Sequence, residues 1–438
     1  MKILIVDTDC CGLDFALRCL AGGHQVKWFL GNKSNGERNK AGDGLVEKVG
    51  DWQAWMRWAD LVFPTANNKY LLWLEKYRKY GYPIFGPSLQ SARLEIDRKL
   101  GMQVLEDHGI ECPPYKTFSR LSQAEQYARD YPDRLVFKTL GDEEDKSLSY
   151  VSKSRADMVA KIAKWQKTGM KLKGECMLQE FMPGIEFAVS GWLGSDGWIG
   201  PWNENFEHKK LMSGNHGPNT GEMGTVMKYV KDSTLAEKML VPLTDYLLEI
   251  GHRGDVDVNC IIAEDGTPYP LEFTCRPGWP AFAIQCSCHN GDPAQWMCDA
   301  LEGEDSLDVD DSVATGLVIA QPDFPYSRAT QKETAGVPVE GLDLDDMGHL
   351  HPFEVMIGKV YEEQGDEITE TTGPVTSGDY ILVAVGLGET VRESAKRAYK
   401  LSDSINVPNK IIRDDIGEGL KSSLPKLHEY GFAAEFDY

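Results

Sequence analysis

The sequence predicts a multidomain protein of mixed α/β and α+β class, and three observations carry that expectation. Its 438 residues exceed the size at which a single core stops growing, so several domains are expected. Strand and helix signals alternate from Lys2 to Phe85, the pattern of a parallel sheet covered by helices. From Tyr115 the order changes to strand, helix, strand, strand, helix, strand, which marks a separate α+β unit.

The first unit, residues 1–98, reads as Rossmann-like: a strand at Lys2 to Val6, a helix at Leu13 to Leu20, then strands at Gln25 to Leu30, Leu61 to Phe63 and Ile84 to Phe85. The loop after the first strand, Asp7-Thr8-Asp9-Cys10-Cys11-Gly12, has one glycine and two aspartates, a poor phosphate cradle. Helical periodicity runs from Ser91 to His108 through Leu94, Leu100, Val104 and Leu105, with Gly109 as C-cap and Cys112-Pro113-Pro114 as a breaker.

A central unit is assigned to residues 99–304. Within it, about 115–186 form a small subdomain with helices at Ser122 to Tyr131 and Arg155 to Thr168, and strands at Leu135 to Leu140, Ser149 to Lys153 and Glu175 to Phe181. A hairpin follows from Phe187 to Gly200, then a long polar, glycine-rich passage from Asn203 to Gly224 that reads as a loop. Helices are expected at Ser233 to Ile250 and Pro293 to Leu301. The acidic stretch Glu302 to Asp311 marks a boundary. Residues 312–438 follow as a closing domain, with strands at Thr315 to Ala320 and Tyr380 to Val385 and a helix at Thr390 to Ile405.

Composition excludes several classes. Lys and Arg total 46 against 68 Asp and Glu, a formal charge of -22 that repels nucleic-acid backbones, so stable nucleic-acid binding is not expected. No apolar stretch approaches the roughly 20 residues of a membrane span. The start Met1-Lys2-Ile3-Leu4-Ile5-Val6 enters a strand directly, and the ten cysteines lack a framework spacing, so a cytoplasmic protein with reduced thiols is expected. Cys286-Ser287-Cys288-His289, with Cys275 and Cys298, permits a zinc reading but lacks a second ligand pair at regular spacing. A monomer or small homo-oligomer acting on small molecules fits these bounds.

The richest chemistry lies between Asp255 and Gly278. Two β-like runs flank Asp265-Gly266, and their alternation points Asp257, Asn259, Glu272 and Thr274 to a common face. Oxygen ligands on strands suit magnesium, and Arg276 adds a planar donor for phosphate or carboxylate; a solvated acidic face is the plainer alternative. Lys138, on an apolar strand, can grip a phosphate or merely blunt a sheet edge. In Met177 to Glu186, a strand end offers backbone groups to an adenine edge and Glu186 can accept from ribose hydroxyls; an ordinary turn is the alternative. Gly214 to Gly224 places four glycines around Asn215, Asn219 and Thr220, an anion nest or a flexible loop.

Taken in order, these residues resemble the phosphoribosylamine-glycine ligase family of the ATP-grasp superfamily. The resemblance rests on Phe85-Gly86-Pro87-Ser88 with Glu95 and Lys99, Gln179-Glu180-Phe181-Met182 with Glu186, and Glu207-His208-Lys209. Gly217-Pro218-Asn219-Thr220-Gly221-Glu222-Met223-Gly224 differs at one position from the family's GPNTGGMG, and Glu272-Phe273-Thr274-Cys275-Arg276 looks like its EFNCR motif. Gly386 to Val391, Lys396 to Tyr399 and Asp414 to Gly417 look like its closing domain.

The resemblance implies an ATP-grasp centre whose lid is the 115–186 subdomain. It implies an ATP-dependent ligase that makes an amide through an acyl phosphate, with glycine or another small amino acid as carboxylate. ATP would be held by Lys99, Lys138, Lys146 and Lys209 on its phosphates, Glu180, Phe181 and Met182 along adenine, and Glu186 on the ribose. Magnesium, or manganese in its place, would lie at Glu272, Thr274 and Asp257. Arg276, with Asn219, Thr220 and Gly221, would orient the acyl phosphate.

The chain departs from the family at named places. The Asp7 to Gly12 loop replaces a glycine-rich loop carrying basic residues, and Gly278-Trp279-Pro280-Ala281 replaces an acidic stretch, which leaves the amine acceptor open. Thr274 stands where the family has an asparagine, a change for which Asp257 or Asn259 can compensate. The lid loop Gly141 to Ser147 carries four consecutive acids. A degenerate protein that binds nucleotide or metabolite without ligation is the alternative these departures suggest.

Overall fold

The computed structural model describes residues 1–33, 36–67, 70–140, 149–172 and 174–438. The strands β1 (Lys2–Asp7), β2 (Gln25–Leu30) and β3 (Leu61–Pro64) pair in parallel in the order β2-β1-β3. Ile84 adds only a single parallel bridge to Val62, in place of the short strand expected there. Helix α1 (Leu13–Ala21) covers the sheet with Leu13, Phe15, Ala16 and Cys19, and α2 (Leu71–Lys79) follows β3.

The helix expected over 91–108 is two helices, α3 (Leu89–Ile96) and α4 (Arg98–Asp107). Asp97 leaves the helical region at φ -100°, ψ 88° and caps α4, accepting the Leu100 N–H at 3.2 Å. Such a cap stabilises a helix start by about 1 kcal/mol, and here it fixes which residue of the first turn faces inward.

Next come β4 (Tyr115–Phe118), α5 (Leu121–Asp130), β5 (Leu135–Thr139), β6 (Tyr150–Val151), α6 (Arg155–Lys167) and β7 (Cys176–Glu180). Their strands form an antiparallel sheet in the order β4-β7-β5-β6. Phe118, Phe137, Leu178, Met158 and Ile162 fill the core between this sheet and its helices.

The remaining strands are β8 (Gly184–Leu193), β9 (Trp198–Glu207), β10 (Lys210–Met212), β11 (His216–Asn219), β12 (Gly224–Val230), β13 (Gly254–Ala263), β14 (Pro268–Thr274), β15 (Val313–Ala320), β16 (Leu350–Pro352), β17 (Val355–Gln364), β18 (Glu367–Thr376) and β19 (Tyr380–Gly388). Eight of them build one sheet in the order β14-β13-β8-β9-β12-β15-β19-β16. This sheet continues across the acidic stretch at 302–311. Much of the passage expected as a loop is strand. β9 extends to Glu207 because Asn203 and Asn205 are buried on one face while Phe206 packs into the core from the other, and β10 pairs with β11.

The helices are α7 (Thr234–Met239), α8 (Thr244–Glu249), α9 (Ala281–Cys288), α10 (Gln295–Leu301), α11 (Gln331–Thr334), α12 (Val391–Asp403) and α13 (Leu420–Glu429). Pro242 splits the helix expected over 233–250 into α7, a 3-10 turn at Val241–Leu243 and α8. Helix α9 lies so close to β15 that a Cβ on Gly316 would stand 2.3 Å from Ile284, so glycine is needed for that approach. No helix among the described residues is long and apolar enough to cross a membrane.

Candidate active site

The antiparallel register of β13 and β14 sets Asp257 opposite Thr274 and Asn259 opposite Glu272, which puts the expected oxygen ligands on one face. Neighbouring β8 brings Glu186 to the same region, and β9 ends there at Glu207.

Lys209, just past the end of β9, joins these elements. Its Nζ lies 2.6 Å from Glu186 Oε1, 3.0 Å from Glu207 Oε2 and 3.6 Å from Glu272 Oε1. Burial alone would lower its pKa, but the three carboxylates hold it well above the ordinary lysine value. Glu207 Oε2 also accepts from Asn259 Nδ2 at 2.8 Å.

Lys138 projects from β5 toward the same cluster and donates to Leu271 O at 3.2 Å. Burial, and then the nearby Arg98 charge, push its pKa down to about 8 despite the opposing pull of Glu272. Arg98 closes the cluster with Nη2 3.1 Å from Glu272 Oε2. The site therefore presents lysine, arginine and carboxylate groups in alternation, suited to a polyphosphate and a divalent cation together.

Arg98 takes the place expected for Lys99. Lys99 is 56% exposed in its side chain and pairs with Glu175 at 3.3 Å. One residue along a helix turns a side chain by about 100°, so the Asp97 cap decides between the two. Lys146 lies outside the described residues, as does the acidic lid loop up to residue 148.

Glu180, Phe181 and Met182 stand where β7 hands over to β8, at the junction of the four-stranded and eight-stranded sheets. The Glu180 N–H donates to Pro114 O at 2.8 Å and its carboxylate accepts from Tyr131 Oη at 2.6 Å. The Phe181 N–H donates to Arg134 O at 3.0 Å, and the Arg134 guanidinium lies 3.6 Å over the Phe181 ring.

The expected anion nest needs correction at one residue. Thr220 donates its backbone N–H to Lys209 O at 2.8 Å and its hydroxyl to the same oxygen at 3.0 Å, so neither is aimed at a ligand. Asn219 pairs with Lys210 in the small sheet, while a Cβ placed on Gly221 would meet open space. The loop is thus a hairpin that fixes the Lys209 backbone. Its missed contribution is Glu222, which accepts from Thr225 and faces Glu207; burial, and then the Glu207 charge, raise its pKa well above the carboxylate range. Asp257, accepting from Asn205 Nδ2 at 3.0 Å, is raised by the same two causes.

Arg276 is reached from Glu222, which also meets Glu207 and Lys209. Its Nη2 is 3.1 Å from Glu95 Oε1 and its Nη1 donates to Pro277 O at 3.1 Å. Beyond it lies the loop after β1. There Asp7 accepts from the N–H groups of Asp9 and Gly12 at 2.9 and 2.7 Å, from Trp28 Nε1 at 3.2 Å and from Thr65 Oγ1 at 2.8 Å. The ten cysteines are free thiols, and among the described residues no group of three or more His, Cys, Asp or Glu side chains is placed to hold a metal ion.

A small α+β unit set against a large antiparallel sheet, with the cation and carboxylate cluster where the two sheets meet, is the arrangement of the ATP-grasp fold. Residues 97–281 match the model of the phosphoribosylglycinamide synthetase ATP-grasp (A) domain. The phosphoribosylamine–glycine ligase of Salmonella typhimurium is 28% identical over 361 residues, covering 78% of this chain and 79% of that one. The crystal structure of phosphoribosylamine–glycine ligase from Thermotoga maritima superposes with TM-score 0.70 at 19% identity, covering 95% of this chain and 100% of that one. An L-amino acid ligase from Bacillus licheniformis shares the fold at TM-score 0.58 and 15% identity, over 93% and 98% of the two chains. The chain is thus similar to phosphoribosylamine–glycine ligases over most of its length, and residues 97–281 carry the match to their ATP-grasp domain.

Proposed function

We propose that the protein is an ATP-dependent carboxylate–amine ligase that forms an amide through an acyl phosphate, with glycine or another small amino acid supplying the carboxylate. The observation that carries this reading is the Lys209 ammonium held by Glu186, Glu207 and Glu272 beside Lys138 and Arg98. That cluster gathers cations for the phosphates and hard oxygens for a metal at the junction of two sheets.

Magnesium fits these residues. Glu272 and Glu207 are hard oxygen donors already facing a cation, Thr274 offers a hydroxyl on the same face, and magnesium commonly takes one or two carboxylates with phosphate oxygens completing its shell. When bound, it would neutralise phosphate charge as the γ-phosphoryl group transfers.

In the proposed reaction a carboxylate oxygen of the amino acid attacks the γ-phosphorus and the bond to the β,γ-bridging oxygen breaks, releasing ADP. The amine nitrogen then attacks the acyl carbon, the carbon–oxygen bond to phosphate breaks, and the amine proton passes to the departing phosphate or to water. Lys138, Lys209 and Arg98 would hold the phosphates, and Glu186 the ribose. Glu180 to Met182 would line the adenine, and Arg276 would orient the acyl group. A cytoplasmic enzyme of small-molecule metabolism fits this reading.

Incubation with ATP, magnesium, single amino acids and hydroxylamine tests it. ADP release with formation of the matching hydroxamate is expected for glycine or another small amino acid. ATP binding with no ADP and no hydroxamate across the amino-acid panel would overturn it in favour of a non-catalytic nucleotide-binding protein.

A further inference from the structure

We infer that Asp7 is a specificity determinant that bars phosphorylated acceptors, so that the amine partner is an unphosphorylated and preferably cationic amine. The inference rests on the ligase reading above for the word acceptor, and on the following geometry for its content.

In open α/β sheets, ligands settle beyond the carboxyl ends of the parallel strands, and an anion there is met by backbone N–H groups at the first turn of the next helix. β1 is the middle strand of its sheet, Asp7 is its last residue, and Gly12 is the residue before the first turn of α1. The Asp7 carboxylate takes the Gly12 N–H at 2.7 Å and the Asp9 N–H at 2.9 Å, with Trp28 Nε1 and Thr65 Oγ1 completing its ring of donors. These are the donors a phosphate would need. The chain's own carboxylate already fills the seat, at full burial, and a phosphate brought there would meet both its bulk and a like charge.

The surrounding charges point the same way. The cations that act on the neighbouring Cys10 and Cys11 thiols are Lys33 and Arg276. Lys33 pairs with Glu354 at 2.7 Å and Arg276 with Glu95 at 3.1 Å. Asp9 is exposed at the mouth of this loop, and Glu222 faces Arg276 from the nucleotide side. Walls of this sign concentrate cations and repel phosphates. Arg276 acts on Glu222, which in turn meets Glu207 and Lys209 of the cluster, so charge joins this end to the place where the acyl phosphate would form.

The test has a binding arm and a turnover arm, both on the full chain. With the nucleotide site saturated by a magnesium complex of a non-hydrolysable ATP analogue, calorimetric titration with ribose 5-phosphate and with inorganic phosphate should give no binding up to millimolar concentration. Submillimolar binding of either by the wild type overturns the inference. Asp7→Ala should gain phosphate binding; a folded Asp7→Ala variant that stays silent overturns the assignment of Asp7 as the barrier.

In the turnover arm, amino-acid-dependent ADP release is compared with phosphoribosylamine and with an unphosphorylated panel that includes a diamine and an aminosugar. At least tenfold preference for an unphosphorylated amine supports the inference, and preference for phosphoribosylamine overturns it while leaving the ligase reading intact. Failure of the hydroxamate assay removes the ligase reading instead, and the binding arm then decides alone whether the seat accepts phosphate.

Discussion

Arg276 and Glu95 form an ion pair across 181 residues of sequence, Nη2 to Oε1 at 3.1 Å, and that carboxylate also accepts the Cys275 N–H at 3.1 Å and Asn67 Nδ2 at 2.6 Å through Oε2. One carboxylate therefore ties the end of β14 to helix α3 and aims the guanidinium. The pair is half protected, with the Glu95 side chain 6% and the Arg276 side chain 26% exposed.

Arg276→Ala should abolish ligation and also destabilise the fold, because it leaves Glu95 buried without its cation. Breaking a fully buried pair costs about 3–5 kcal/mol, and partial exposure here lowers the expectation to about 2 kcal/mol. The double variant Arg276→Ala/Glu95→Gln should regain much of that stability in urea unfolding while ADP release stays absent. Recovery of turnover in the double variant would place the role of Arg276 in the fold alone.

Lys209→Met should reduce kcat/KM for ATP by about 100-fold or more, by analogy with loss of one charge-stabilising donor. It also leaves Glu186, Glu207 and Glu272 facing one another without their shared cation. The thermal midpoint of the variant should therefore rise more steeply with added magnesium than that of the wild type. Equal magnesium responses would show that the three carboxylates do not converge on a metal position.

Thr274→Asn tests the departure at the metal face directly. An amide oxygen is a stronger neutral ligand than a hydroxyl, and residue 274 lies opposite Asp257 in the β13–β14 register. The variant should reach half-maximal ADP release at a lower magnesium concentration, with Glu272→Gln as the inactive reference. An unchanged magnesium requirement would place residue 274 outside the metal's reach.

His252 predicts the acid limb of stability. Its Nδ1 lies 2.8 Å from Ser91 Oγ and its Nε2 3.1 Å from Asp255 O, and burial pushes its pKa down to about 3. The unfolded chain takes the proton at an ordinary pKa near 6.5, so stability is complete above that value and falls as pH drops from about 6.5 toward 3. Between pH 7.5 and 5.5 this one group should remove about 1.4 kcal/mol in urea unfolding. His252→Gln should be less stable at pH 7.5 but lose less on acidification; an identical slope in both proteins would assign the acid limb elsewhere.

Much of this architecture can be read from residue pattern. The continuous apolar run of β1 and the alternation along β13 place those strands, and the Asp265-Gly266 turn with its flanking runs puts Asp257, Asn259, Glu272 and Thr274 on one face. What escapes is decided by single polar residues acting at a distance. Asp97 caps α4 and so turns Arg98 rather than Lys99 inward. Asn203 and Asn205 look like loop residues, yet both are buried in β9, where Asn205 reaches Asp257 on β13. Glu222 differs from the glycine of a known signature, but only the fold shows that it meets Glu207. Asp7 reads as a residue that repels anions, and its backbone donors show that it replaces one.

Lys138 gives the prediction that best separates catalysis from folding. Burial and the Arg98 charge set its pKa at about 8, well under the ordinary lysine value of 10.5. As pH rises through about 8 the free enzyme loses this cation, so kcat/KM for ATP should fall with a single-proton slope above that pH. Stability should move the other way. The unfolded chain holds the proton up to about 10.4 while the folded chain has released it, so folding becomes more favourable as pH climbs from about 8 toward 10. Lys138→Arg, whose guanidinium stays charged, should remove the alkaline fall in kcat/KM and flatten the rise in stability together. An alkaline fall that persists in Lys138→Arg would assign the limb to another group and separate Lys138 from the phosphate site.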